Sequence, residues 1–96
     1  MKYLVTCLPT AQEQYLAIQR AAESSEFALS IRKALQDTLT SLKKDAANVG
    51  EPLYDLEQMK MRVCRILVPP LYVEYGVHFT KPIAFIRRVV LLRKPS

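Results

Sequence analysis

The segment "MKMRVCRILVPPLYVEYGVHF" (59–79) places Lys60, Arg62 and Arg65 in an apolar, strand-like run, meets Pro69 and Pro70, and resumes with Tyr72, Glu74, Tyr75 and His78. Charge is costly to bury, so cations in a run suited to a buried sheet must reach solvent or a partner. Arginine can hold two phosphate oxygens at once, and tyrosine offers a flat face on which a base stacks. The bland alternative is that Lys60 and Arg62 form the wet face of a half-exposed sheet. Glu74 and His78 resemble an acid–base pair. Four residues at about 3.3 Å each would hold them roughly 13 Å apart, too far for one reacting group, and His78 reads as a strand-end surface residue.

The charge distribution agrees with a surface role. The 96 residues carry 14 Lys/Arg and 9 Asp/Glu; residues 51–96 hold eight of the cations against four acids, and residues 1–50 hold six against five. A basic half-domain suits a nucleic acid or an acidic protein. Cys7 and Cys64 lie far apart in apolar runs, which suggests neither a disulfide framework nor a metal site. No apolar run approaches the roughly 20 residues of a membrane helix, so a reduced cytoplasm without membrane contact is expected. Gly50 and Gly76 are the only glycines, too few for a phosphate-cradling loop.

Periodicity supplies the elements that position these residues. "KYLVTCL" (2–8) is β-prone, and Thr10 with Glu13 has capping-box spacing, predicting a helix from near Ala11. Ala11, Tyr15, Ile18 and Ala22 form one helical stripe; after Ser24 and Ser25, which suit an N-cap, Phe27, Ile31, Ala34, Leu35, Thr38 and Leu42 form a second. Each helix has a single apolar face and should pack on something flat. Lys43, Lys44, Asn48 and Gly50 close the second helix. The period then changes to two: Met59–Val68, Leu71–Val77 and "IAFIRRVVLL" (83–92) read as strands, the last apolar on both faces like an interior strand. Tandem prolines belong in an antiparallel connection; centring the turn on them sets Leu67 opposite Tyr72 and Arg65 opposite Glu74, as a cross-strand salt bridge. Adjacent Arg87 and Arg88 should point to opposite faces. The order is β-α-α-β-β-β in a single domain spanning residues 1–96.

This order, "GEPL" (50–53), the basic "MKMRV", "PLYVEYGV" (70–77) and the last strand with "FIRRVVLL" together resemble the RelE/ParE superfamily of type II toxins. The resemblance spans nearly the whole chain as a set of short pieces. It implies an α+β fold: an N-terminal strand and a two-helix hairpin on a small twisted antiparallel sheet. It also implies a cognate antitoxin. RelE-like members cleave mRNA in the ribosomal A site; ParE-like members poison DNA gyrase instead. In the RelE-like branch, basic residues on the first strand after the hairpin are functional, and Lys60 and Arg62 match them by type and alternation. The place of that branch's next-strand arginine is held here by Tyr72, and a basic element beyond the last strand is matched by Arg93 and Lys94.

The expectation is therefore a ribosome-associated, metal-independent endoribonuclease without cofactor. Lys60, Arg62, Arg65 and Arg93 would supply catalytic charge, and Tyr72, Tyr75, Arg88 and Lys94 would contact substrate from an open sheet face. The alternatives are a gyrase-directed binding protein and a non-catalytic antitoxin partner. A homodimer is left open.

Overall fold

A computed structural model describes residues 2–23 and 26–92. The elements are β1 (Leu4–Cys7), α1 (Pro9–Ala21), α2 (Phe27–Val49), β2 (Glu51–Leu56), a 3₁₀ turn (Glu57–Met59), β3 (Met61–Val68), β4 (Leu71–His78) and β5 (Ile83–Leu91). The strands form one sheet in the order β1-β5-β4-β3-β2. The α+β class and the helical hairpin on a sheet are as expected, with two differences. β1 pairs with β5 in parallel, so the sheet is mixed. β2 is a fifth strand, antiparallel to β3 at the other edge.

α1 begins earlier than the capping box implied. Leu8 is its N-cap, without a side-chain cap hydrogen bond, and Pro9 takes the first position. Proline suits that position because its missing N–H would have had no helical partner. Ser24 and Ser25 lie outside the described residues. α2 runs on to Val49, interrupted by non-helical angles at Asp45 (φ −161°, ψ 63°).

One sheet face is covered by the helices. Val5, Cys64, Leu71, Val73, Tyr75, Val77, Ala84, Ile86 and Val89 meet Ala11, Ala22, Ile31, Ala34, Leu42 and Ala46 in a single core. Each fully buried Leu or Ile contributes about 1.5–3 kcal/mol. Buried Thr38 donates its hydroxyl to the Ala34 carbonyl oxygen, 2.7 Å away, so it carries no unmet polar group.

Ile86 and Val89 both enter this core although they are three residues apart. Strict alternation forbids that; a register shift opposite Glu74/Tyr75 inserts Arg87 as an extra residue in β5. Just past the bulge, the Val89 N–H donates to Gln14 Oε1 of α1 at 2.9 Å, which anchors the irregular strand to the helix layer. β4 and β3 pair regularly through the two-residue Pro69-Pro70 connection, with Leu67 opposite Tyr72 and Arg65 opposite Glu74 as expected.

Candidate functional site: a charge row on the uncovered sheet face

Because Val73 and Tyr75 point to the helices, Tyr72, Glu74 and Gly76 point the other way. Glu74 is opposite Arg65 on β3 and Arg88 on β5, and Arg65 is in turn opposite Glu51 on β2. Four adjacent strands thus carry Glu51, Arg65, Glu74 and Arg88 in one transverse row of alternating sign, with strands about 4.8 Å apart.

The contacts follow that order. Arg65 donates from Nε and Nη2 to Glu51 Oε2 at 3.2 and 3.0 Å. Arg88 Nη1 lies 3.9 Å from Glu74 Oε1, a looser pair, and the Tyr72 hydroxyl donates to the same oxygen at 3.1 Å. The Glu51 carboxylate first, and the Tyr72 hydroxyl after it, hold Arg65 still more firmly in its charged form. The expected Arg65–Glu74 facing is therefore correct in register, while the ion pair of Arg65 goes to Glu51. A depression beside this end of the row is lined by Gly50, Glu51, Arg65, Leu67, Tyr72 and Leu92, among others.

Of the remaining described basic residues named above, Lys60 and Arg62 are not on this face. Lys60 is not in a strand: it ends the 3₁₀ turn in the left-handed region (φ 52°). Met61 lies over Gly76 on the uncovered face, so Arg62, its neighbour, projects to the opposite side at the sheet rim. There Arg62 Nε donates to Asp55 Oδ1 at 2.9 Å. Arg62 and Arg65, three apart, cannot share a face in a regular strand. Arg87 and Arg88, in contrast, both avoid the helix side, because the bulge cancels their alternation; Arg87 Nη1 contacts the Tyr54 hydroxyl at 3.4 Å. Arg93 and Lys94 lie outside the described residues.

Tyr75 is corrected as a substrate contact. It is 0% exposed on the helix side, and its hydroxyl donates to the Ala46 carbonyl oxygen at 3.1 Å, so its ring cannot stack a base. His78 serves the β4–β5 connection: its Nδ1 accepts from the Thr80 and Lys81 backbone N–H groups at 3.2 and 3.1 Å. That use of Nδ1 is a turn-closing role, consistent with a strand-end position. Among the described residues, no cluster of His, Cys, Asp and Glu could hold a metal ion, and no helix is long and apolar enough to cross a membrane.

The centre of the row on the uncovered face is a compact set, Arg65 and Arg88 with the Glu74 carboxylate between them and half-exposed Tyr72 bonded to that carboxylate, flanked by Glu51 at the β2 edge and by Arg87 against Tyr54. Arg88 is expected above as a substrate contact and Glu74 as the cross-strand neighbour of Arg65, but not their pairing with each other. Their cross-strand meeting depends on the β4–β5 register, which the Arg87 bulge sets.

No protein-family model matches the chain, and no curated protein resembles it significantly in sequence. Its backbone is similar to a chain in the crystal structure of the toxin-antitoxin complex RelBE2 from Mycobacterium tuberculosis. That likeness has a TM-score of 0.54 at 20% sequence identity and covers 95% of this chain and 99% of the other. The chain has a RelE-like fold.

Proposed function

We propose that the chain is the toxin of a type II toxin–antitoxin pair, held inactive by a protein antitoxin, and that it cuts messenger RNA on the ribosome. The observation that carries this reading is the Arg65–Glu74–Arg88 arrangement with Tyr72 on the uncovered face of a RelE-like sheet. Glu74 takes the proton of a ribose 2′-hydroxyl, whose oxygen bonds to the adjacent phosphorus. The 5′-oxygen of the next nucleotide leaves with a proton from solvent, giving a 2′,3′-cyclic phosphate and a 5′-hydroxyl. Arg65 and Arg88 stabilise the charge that builds on the phosphorane oxygens, and Tyr72 stacks a base. Lys60 and Arg62 attract RNA from the rim, and Arg93 and Lys94 add to the positive charge of the chain.

One observation favours a second reading. Arg65 and Arg88 alternate with Glu51 and Glu74, so the row sums to no net charge, and Arg62 at the rim is paired with Asp55. A face neutralised in this way suits a protein target, as in a gyrase-directed inhibitor, or a scaffold that only pairs with its antitoxin. Translating ribosomes mixed with the purified chain decide between them. Message cut to cyclic-phosphate ends, with cutting abolished in a folded Arg65→Ala/Arg88→Ala variant, supports the nuclease. Intact message with inhibited gyrase supercoiling replaces it with the second reading.

A further inference from the structure

Among the described residues, a group of cations that face no carboxylate lies away from this row. Lys2, Thr40, Lys43 and Lys44 line a shallow depression of about 390 Å³ at the β1 edge of the molecule. Thr40, Lys43 and Lys44 share a helix face through their three- and four-residue spacings. Lys2 is brought beside them by the backbone, since the Tyr3 N–H donates to the Lys43 carbonyl oxygen at 2.8 Å. All three lysines are exposed, and the described ion pairs are those of Arg62, Arg65 and Arg88. The adjacent Asp45 carboxylate is turned to the Asn48 side-chain amide, at 3.0 and 3.2 Å. The acid on the same helix face, Asp37, is one turn from Thr40 but about 9 and 10 Å along the axis from Lys43 and Lys44.

We infer that this depression is a second nucleic-acid contact, one that grips the phosphate backbone of RNA without reading its sequence. The inference deepens the RNA-directed reading and rests on it. Its chemistry differs from that of the Arg65 row. Three ammonium groups supply point charges with no bidentate fork, and the side chains that line the depression include no aromatic or large apolar one; exposed Leu4 stands two residues along the chain from Lys2. An acidic protein partner would need an apolar anchor at the centre of its interface, and the centre of this depression holds lysines and a threonine instead. A polyanion with evenly spaced phosphates needs only charge and reach, and it binds by releasing its condensed counterions. Such a contact would orient the chain on a large RNA while the sheet face meets the message.

The probe is a labelled oligouridylate, whose affinity is measured against salt for the parent, Lys2→Gln/Lys43→Gln/Lys44→Gln, and Arg65→Ala/Arg88→Ala. The lysine variant changes only exposed side chains, and thermal melting checks that it folds. It is expected to bind more weakly, and the slope of log K against log salt should shrink by up to about 2, at roughly 0.7 for each phosphate no longer neutralised. The arginine variant retains the lysine share of the slope whether or not the chain cuts RNA, so this outcome is separable from the nuclease reading. Parental affinity and slope in the lysine variant, no binding by the parent at low salt, or equal binding of polyglutamate would each overturn the inference.

Discussion

The phenol end of Tyr75 fills the space that a side chain at Gly50 would need. A Cβ there would run into the Tyr75 hydroxyl oxygen and lie 2.7 Å from the Arg65 carbonyl oxygen. The backbone angles at Gly50 are ordinary (φ −109°), so the glycine is required for close approach and not for conformational freedom. This contact joins the end of α2, the core of β4 and the strand that carries Arg65.

Gly50→Ala is therefore expected to destabilise the fold by about 1–3 kcal/mol, the usual cost of overpacking a filled site. Tyr75→Phe loses the hydrogen bond to Ala46 and should cost about 1 kcal/mol. In the double variant the missing hydroxyl relieves part of the clash, so the combined loss falls short of the sum. Urea unfolding of the four proteins measures the coupling. Strict additivity would mean that Tyr75 and Gly50 do not constrain each other.

The same burial gives the fold an alkaline limit. Burial raises the Tyr75 hydroxyl above its ordinary value of 10.0, with buried Cys64 contributing second. Burial likewise raises the Cys64 thiol above 9.0. Both groups hold their protons more tightly in the folded chain than in the unfolded one. Their stabilising contribution is complete below those ordinary values and is lost as pH rises through them toward the raised folded values. Stability should thus be level between neutral pH and about pH 8 and fall above about pH 9. Tyr75→Phe/Cys64→Ala, lacking both protons, should show a shallower alkaline decline in urea midpoints; equal slopes would remove the burial account.

His78 supplies a contrast between structure and chemistry. With Nδ1 accepting two backbone N–H groups, it holds the β4–β5 connection. His78→Ala should lower stability by about 0.5–1.5 kcal/mol and leave RNA cleavage unchanged. His78→Asn, whose side-chain oxygen can accept from the same turn, should regain part of the loss. Loss of cleavage in a variant that melts like the parent would instead put His78 among the reacting groups.

Periodicity found the two helices because burial leaves a mark every three or four residues: Ala11, Ile31, Ala34, Thr38 and Leu42 are all buried. It found β3 and β4 for the same reason at period two, and β5 as an apolar run on both faces, as befits a strand between β1 and β4. β2 left no such mark, since Glu51 to Asp55 are all exposed at a sheet edge and Pro52 argues against a strand. Lys60 continues the alternation of β3 in sequence, and nothing in its type announces the left-handed conformation that it takes. The separation of Arg62 from Arg65 was legible in their spacing alone. The bulge at Arg87 was not, since it depends on register with β4, and with it went the position of Arg88 opposite Glu74.

That row makes binding and cutting separable. Glu51→Gln removes the carboxylate that holds Arg65 at 3.0 Å and leaves a neutral side chain of the same shape. If Arg65 serves a phosphate, the freed guanidinium should tighten RNA binding and steepen its salt dependence by about 0.7 in slope, one more phosphate neutralised. Glu74→Gln separates the two effects. Binding is kept or improved as a like charge leaves the face, while cleavage falls about 10²- to 10⁴-fold with the loss of the proton acceptor. Salt-dependent binding to oligouridylate and mapping of cut message on ribosomes measure the two effects separately. A Glu51→Gln protein with parental affinity, together with a Glu74→Gln protein that cuts at the parental rate, would reduce the row to a ladder of surface pairs that aligns four strands and touches no substrate. Because the two carboxylates flank Arg65 from the strands on either side of β3, only a face that both binds and reacts would keep or tighten binding in both variants while losing cleavage in Glu74→Gln.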